Sequence, residues 1–312
     1  MDTLALSTKQ RFSLTPTPPF DFQHSLSVLE KMHAGGLKRT ITKKVLRLAY
    51  ALSDETVLLE LKSSGSVQAP KLNVGLHAKR KLSKSELKDL KAYLTFYLSL
   101  DDDLTSFYAL AESDPAFESV LKALYGFHPV KFPSVFASAC WALVTQRTPN
   151  SFAFKTMTRL SELLGTRLEH DGETYTTFPE PQAFLGNEAS EAILEATNNT
   201  RKTERLLAIA QSFAEADEDF LRTAPYAEVA AWLGNVHGLG AWSVDYIMLR
   251  GLGRYERSPW TDTRIMHTLS EIYTLGFSMS KGDARALAER YGWQQGLWVH
   301  YLKTFEWLGL ES

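Results

Sequence analysis

The sequence predicts an α+β protein: a small N-terminal antiparallel β-sheet domain followed by an all-helical body. Short β-rich segments separated by polar turns crowd the first eighty residues. After Asp101-Asp102-Asp103, apolar residues recur at helical spacing almost to the end of the chain. The 312 residues are 44% apolar and 22% charged, which suits a globular protein with a sizeable core and more than one domain. The expected division is 1–115 for the sheet domain and 116–312 for the helical body.

Taken in order, residues 11–14 begin a strand, and the PTPPFDF segment makes an extended turn into a helix over 24–32. Residues 40–52 and 55–62 form two β-rich segments around a Ser-Asp turn, and 72–76 supply another strand. Within the second segment, Val57-Leu58-Leu59-Glu60-Leu61 is the better buried run. Ser83 opens a helix with Glu86 three residues on, the pattern of a capping box, and Leu87, Leu90, Leu94, Tyr97 and Leu98 make its apolar stripe. Residues 132–165 hold helices interrupted near Thr148-Pro149-Asn150. Further helices are predicted over 201–215, 226–233, 242–251, 266–273, 282–291 and 296–308.

The single cysteine, Cys140, lies in an apolar run and reads as a buried, inert thiol. It excludes an internal disulfide and any cluster that needs several cysteines. The opening MDTLALSTKQ lacks a continuous apolar run and no stretch reaches membrane-span length, so a cytoplasmic location is expected, without membrane association. The location would be nucleoid-associated in a bacterium and nuclear in a eukaryote. The net charge of −2 conceals an asymmetry: residues 31–91 hold 14 Lys/Arg against 5 Asp/Glu. That surplus permits a basic surface for an anionic partner, and is equally compatible with solvated lysines guarding sheet edges.

The most informative segment runs from Leu233 to Leu252. A helix ends near Leu233, a tight turn follows, and Gly238-Leu239-Gly240 leads into a new helix. Glycines allow positive φ and close backbone approach, and the N–H groups at the start of the second helix can hold a phosphate without reading a base. By itself Gly-x-Gly fits an ordinary helix–helix connection better.

The surrounding residues tilt that balance. V-H-G-L-G-A-W-S-V-D-Y-I-M-L-R, residues 236–250, resembles the signature of the helix-hairpin-helix (HhH-GPD) DNA glycosylase superfamily, and most of all its AlkA-type 3-methyladenine DNA glycosylases. Ser258-Pro-Trp-Thr-Asp262-Thr-Arg-Ile-Met is similar to the loop and helix start that carry the family aspartate. Upstream, residues 136–148 resemble the helix and Gln-containing turn that enter the minor groove. FPEPQAF from Phe178 and TRKTERL from Thr200 follow in the family order. The likeness covers about residues 130–310, and the N-terminal PPFDF with its strands is similar to the sheet domain of AlkA-type members. It implies a two-lobed helical body, a hairpin at about 229–251 and an active site in the cleft.

The resemblance makes Asp262 the catalytic residue. Breaking an N-glycosidic bond builds positive charge on the sugar, which a carboxylate stabilises while it orients the attacking water. Without the resemblance, Asp262 reads better as a helix cap. Members that also cut the strand use a lysine at the start of the helix after the hairpin. Here Trp242 stands in that place and no lysine occurs between Lys202 and Lys281, so a monofunctional, water-using enzyme is expected.

The same comparison implies the other site residues. Gly238, Gly240 and Ala241 would hold the DNA backbone, and Gln146 and Arg147 would form the tip that fills the gap left by a flipped nucleotide. Arg147 departs from the apolar or amide residue usual there. Trp242 and Tyr246, four apart on one helix face, would stack on the damaged base, although ordinary core packing explains most such pairs. Backbone carbonyls of Gly234, Val236 and Leu239 would hold a structural monovalent cation, Na or K. No organic cofactor is implied. The expected partner is duplex DNA with damaged bases, and the expected state a monomer. Alkylated purines are the expected substrate. Deaminated or oxidised bases are the alternative, as is a catalytically silent protein that binds DNA structure through the hairpin.

Overall fold

The computed structural model describes residues 8–32, 35–260, 262 and 264–310. Five strands form the N-terminal sheet: β1 (Thr8–Leu14), β2 (Thr40–Thr42), β3 (Val45–Ala51), β4 (Thr56–Gly65) and β5 (Pro70–Ala78). They are antiparallel in the order β1-β5-β4-β3-β2, with Leu59 opposite Leu48 on one side and Leu76 on the other. Helix α1 (Phe22–Lys31) lies between β1 and β2 in sequence and starts at Asp21, whose side chain accepts from the N–H of Gln23 at 2.8 Å. The expected β-rich run over 40–52 is two strands, folded back at Lys43-Lys44.

The helical part begins with α2 (Lys84–Tyr97), which has the predicted capping box: Ser83 N–H donates to Glu86 at 2.8 Å and Glu86 N–H to Ser83 at 3.2 Å. It continues through α3 (Thr105–Ala111), α4 (Glu118–Ala123), α5 (Val135–Val144) and α6 (Asn150–Leu164). A β-hairpin of β6 (Arg167–His170) and β7 (Glu173–Thr176) follows. Then come α7 (Ala189–Thr197), α8 (Thr200–Ala214), α9 (Glu218–Thr223), α10 (Tyr226–Asn235), α11 (Ala241–Tyr246), α12 (Ile265–Tyr273), α13 (Lys281–Glu289) and α14 (Gln295–Leu308).

The β6–β7 hairpin corrects the all-helical reading of the body. Its residues, RLEH and ETYT, are too short and polar to stand out by periodicity, and the turn forms at Asp171 and Gly172, both with positive φ. Tyr175 of β7 is buried with Ala49 and Leu58 on the sheet face opposite the main core. Its hydroxyl meets that of Thr40 at 3.1 Å. This cover explains why Val57-Leu58-Leu59 is an unbroken apolar run: both faces of β4 are buried.

The main core is continuous from Leu14 of β1 to Phe305 of α14, so the sheet domain and helical body share one packed interior. At its centre α5 is buried on every side, Cys140 included, and burial pushes that thiol well above its ordinary range. The first and last helices are tied together: Lys31 donates to the carbonyls of Trp307 and Leu308 at 3.3 and 3.0 Å, closing the end of α14. The buried Asp114 carboxylate accepts from the hydroxyls of Tyr273 (2.6 Å) and Tyr291 (2.9 Å), and the Trp298 indole donates to Tyr273 at 2.9 Å. These bonds fix α12 against α14, and those two elements frame the site. Among the described residues no helix is long and apolar enough to cross a membrane.

Candidate active site

The hairpin forms where the sequence places it. Helix α10 stops at Asn235, Val236 N–H bonds back to Leu233, and Leu239 N–H bonds to Val236 at 3.1 Å. Gly238 takes φ +101°, which disfavours any side chain, and a Cβ there would press on Arg205 at 3.1 Å. Gly240 differs. Its φ is ordinary at −99°, and a Cβ would meet nothing within 4 Å. No side chain caps α11, and Ala241 at its start is exposed, so its first N–H groups have no side-chain acceptor.

Helix α11 passes directly into a π turn over Ile247–Gly251, where Leu252 N–H bonds to Ile247 at 2.9 Å. Gly251 is required there because a Cβ would meet Ser138 Oγ at 2.2 Å. Trp242 and Tyr246 stack with ring centroids 5.1 Å apart and planes 28° apart, both half-buried. Phe132 meets Tyr246 edge-on, with ring centroids 6.0 Å apart. Burial pushes the Tyr246 hydroxyl up, opposed by the charges of Arg250 and Arg264. Arg264, whose charge acts on the Tyr246 hydroxyl, is itself bonded to Asp262.

Asp262 precedes α12, with its side chain 13% exposed. Lys303 of α14 donates to Oδ2 at 2.7 Å. Arg264 donates through its backbone N–H (3.1 Å) and Nε (3.0 Å) to Oδ1, and through its second guanidinium nitrogen to Oδ2 at 3.1 Å. Burial pushes the carboxyl up, but the hydrogen bonds and charges of Arg264 and Lys303 outweigh it and hold the pKa down at about 2. Asp262 is therefore an anion throughout the neutral range. Sequence reasoning misses Lys303, which lies beyond the lysine-free stretch between Lys202 and Lys281. A signal was present: Lys303 is the one Lys, Arg, Asp or Glu in the run GLWVHYLKTF from Gly296 to Phe305, and in the fold it is half-buried while its neighbours are buried.

One turn before Lys303, His300 accepts from the Arg250 guanidinium at 2.5 Å. Burial first, then the charges of Arg250, Lys303 and Lys131, push His300 well below its ordinary range, so it is a neutral acceptor. Two hydrogen-bonded groups therefore lie on neighbouring turns of α14: Arg250 with His300, and Lys303 with Asp262 and Arg264.

The turn after α5 has two different residues at its tip. Gln146 turns inward, its amide donating to the Gly238 carbonyl at 2.9 Å and to Ser243 Oγ at 3.2 Å. Arg147 is exposed and holds φ +52°, a left-handed conformation that costs a non-glycine residue of the order of 1 kcal/mol. Lys202 of α8 secures the turn from beneath, donating to Val144 carbonyl at 2.6 Å and to the Thr148 hydroxyl. Sequence reading also missed Lys202; its segment was recognised as a landmark without a role.

The carbonyls suggested for a cation are hard oxygen donors of the right type for Na or K. Val236 oxygen keeps one lone pair after accepting from Leu239, and a Cβ on Gly234 would meet nothing within 4 Å. The neighbouring Gly238 carbonyl is taken by Gln146. Among the described residues no three His, Cys, Asp or Glu cluster to bind a metal.

No model of a protein family matches the chain. The 3-methyladenine DNA-glycosylase of Archaeoglobus fulgidus superposes with a TM-score of 0.76 at 21% identity, covering 95% of this chain and 98% of that one. The chain has the fold of that glycosylase. The apo 8-oxoguanine glycosylase/lyase of Clostridium acetobutylicum shares it, with a TM-score of 0.68 at 17% identity over 96% of this chain and 98% of that one. In sequence, a DNA-3-methyladenine glycosylase of Bacillus subtilis (strain 168) is 22% identical over 234 residues, which is 74% of this chain and 76% of the relative.

Proposed function

We propose that the protein is a base-excision DNA glycosylase that flips damaged purines, alkylated ones foremost, out of duplex DNA and hydrolyses their N-glycosidic bond. The observation that carries this reading is Asp262: a half-buried carboxylate at the start of α12, kept ionised by Lys303 and Arg264, in a chain whose α11 presents the stacked Trp242–Tyr246 pair. The relatives named above for 3-methyladenine favour the alkylated class.

In this reading the N–H groups that follow Gly240 grip a backbone phosphate, a contact that needs positive helix-end charge and no base recognition. Arg147 fills the space left by the flipped nucleotide, its guanidinium stacking on neighbouring bases while held in a strained tip. The base enters the cleft between the two lobes and lies on the Trp242–Tyr246 faces, where an electron-poor alkylated ring gains most. Asp262 faces the sugar, stabilises the positive charge that develops at C1′ and orients the water that attacks it. Trp242 brings no amine to the helix-start position and the Lys303 ammonium is held by Asp262, so in this reading water is the nucleophile and the enzyme is monofunctional. A monovalent cation held by the carbonyls of Gly234, Val236 and Leu239 would supply further positive charge beneath the phosphate. The protein acts as a monomer on DNA.

Duplexes that each carry one defined lesion, incubated with the wild type and Asp262→Asn, test this. Release of alkylated purine by the wild type and its loss in the variant are expected. Release from no lesion by the wild type overturns the reading and leaves a protein that only binds DNA.

A further inference from the structure

Asp262 is flanked by two cations, and this is a poor arrangement for its task unless one of them does something else. A positive neighbour weakens the field with which a carboxylate stabilises positive charge on the sugar. Arg264 is 64% exposed, so its guanidinium can exchange its bonds to Asp262 for a DNA phosphate. Lys303 is 28% exposed, rooted in a buried helix, and cannot leave. From the 2.7 Å contact of Lys303 Nζ with Asp262 Oδ2 we infer that Lys303 is the proton donor to the departing base, and that the site therefore releases neutral damaged bases as well as cationic ones. This rests on the glycosylase reading above.

The two classes of base leave differently. An alkylated purine that already bears a positive charge departs as a neutral molecule and needs no proton. A neutral purine takes the electron pair of the C1′–N9 bond with it and departs as an anion unless an acid protonates a ring nitrogen. The Lys303–Asp262 pair closes such a cycle. The C1′–N9 bond breaks, its electrons go to the base, and the Lys303 ammonium gives a proton to the base. Water bonds to C1′ and gives its proton to Asp262, and that proton crosses to the Lys303 amine. Sugar, base and water become free base and hydroxylated sugar, with both side chains restored.

The other groups acting on Lys303 cannot replace it. The guanidinium of Arg264 holds its proton more tightly than usual through its bonds to Asp262, and the Arg250 guanidinium donates to His300. His300 is neutral and accepts from Arg250, and Glu306 accepts from Thr268 at 2.5 Å. The Tyr246 hydroxyl binds its proton more tightly than an ordinary phenol. Lys303 moves the other way: burial lowers it more than Asp262 raises it, which makes it the better acid.

The test is single-turnover base release from duplexes with one hypoxanthine (neutral) or one 7-methylguanine (cationic), using the full chain. Wild type is expected to release both. Lys303→Gln should lower hypoxanthine release about 100-fold, the range of general-acid catalysis, and 7-methylguanine release less than tenfold. Lys303→Arg keeps the charge beside Asp262 but gives up no proton, so it should show the same selective loss. Equal losses for both lesions in Lys303→Gln, restored by Lys303→Arg, overturn the inference and make Lys303 a positioning residue. Wild type releasing 7-methylguanine but no hypoxanthine also overturns it, whereas release of neither fails the glycosylase reading itself. Should the variants misfold, the wild-type pH profile decides: hypoxanthine release must fall as Lys303 deprotonates while 7-methylguanine release does not, and parallel profiles contradict the inference.

Discussion

The Gln146 side chain holds the Gly238 carbonyl at 2.9 Å, joining the turn after α5 to the hairpin across 92 residues of sequence. The same amide reaches Ser243 at 3.2 Å, inside α11. The proposed base-flipping tip and the proposed phosphate grip are therefore one braced unit. Gln146→Ala removes both bonds, and at about 1 kcal/mol each they predict a stability loss of roughly 1–2 kcal/mol. Binding to an abasic duplex should weaken several-fold in parallel. Gln146→Glu should be worse, because a carboxylate would face a carbonyl with no proton between them. Thermal melts and a binding titration check both; an Ala variant with unchanged melting and binding shows that the brace does not matter.

The two hairpin glycines should separate folding from binding. Gly238→Ala forces a side chain into φ +101° against Arg205, so a loss of about 1–2 kcal/mol is expected. Gly240→Ala meets open space at an ordinary φ, and its stability should stay within about 0.5 kcal/mol of wild type. Its new methyl group nevertheless stands where a phosphate would approach, and affinity for an abasic duplex should drop about tenfold. If Gly240→Ala binds as tightly as wild type, the phosphate lies elsewhere.

Asp262 also gives the fold a pH dependence. Its pKa in the folded protein is about 2 against an ordinary 3.8, so the folded state favours the ionised form. Its contribution is then fully present above pH 3.8 and is lost as pH falls through about 2. The shift corresponds to about 2 kcal/mol, and less once the share of the exposed Arg264 is reduced for solvent screening. Denaturation of wild type and Asp262→Asn between pH 6 and pH 2 should show the stability gap narrowing toward the acid end. A gap that widens there would mean that Asp262 is not held as an anion.

Much of this was legible in the sequence because it depends on local chemistry. The capping box of Ser83 and Glu86, the break at 148–150 and the Gly238–Gly240 turn are set by neighbours in the chain, and each appears where expected. The likeness of residues 236–250 and 258–266 to the glycosylase motifs pointed to the fold. What escaped depends on distance. Lys303 lies 41 residues from Asp262, and its meaning exists only once α14 packs beside the start of α12. Gln146 looked like half of an exposed tip because a sequence does not say which of two adjacent polar residues turns inward. The β6–β7 hairpin was invisible because its order comes from lying against the sheet, through Tyr175, and not from its own short strands.

The central claim is that the Asp262 carboxylate drives base departure, and release of alkylated purine from duplex DNA measures it most directly. Wild type and Asp262→Asn should bind an abasic duplex with comparable affinity, since the hairpin is untouched. The rate of base release should fall at least 100-fold in the variant, the size of effect found when a group that stabilises developing charge is removed. An Asp262→Asn protein that is folded, binds DNA and releases bases at the wild-type rate would contradict the account.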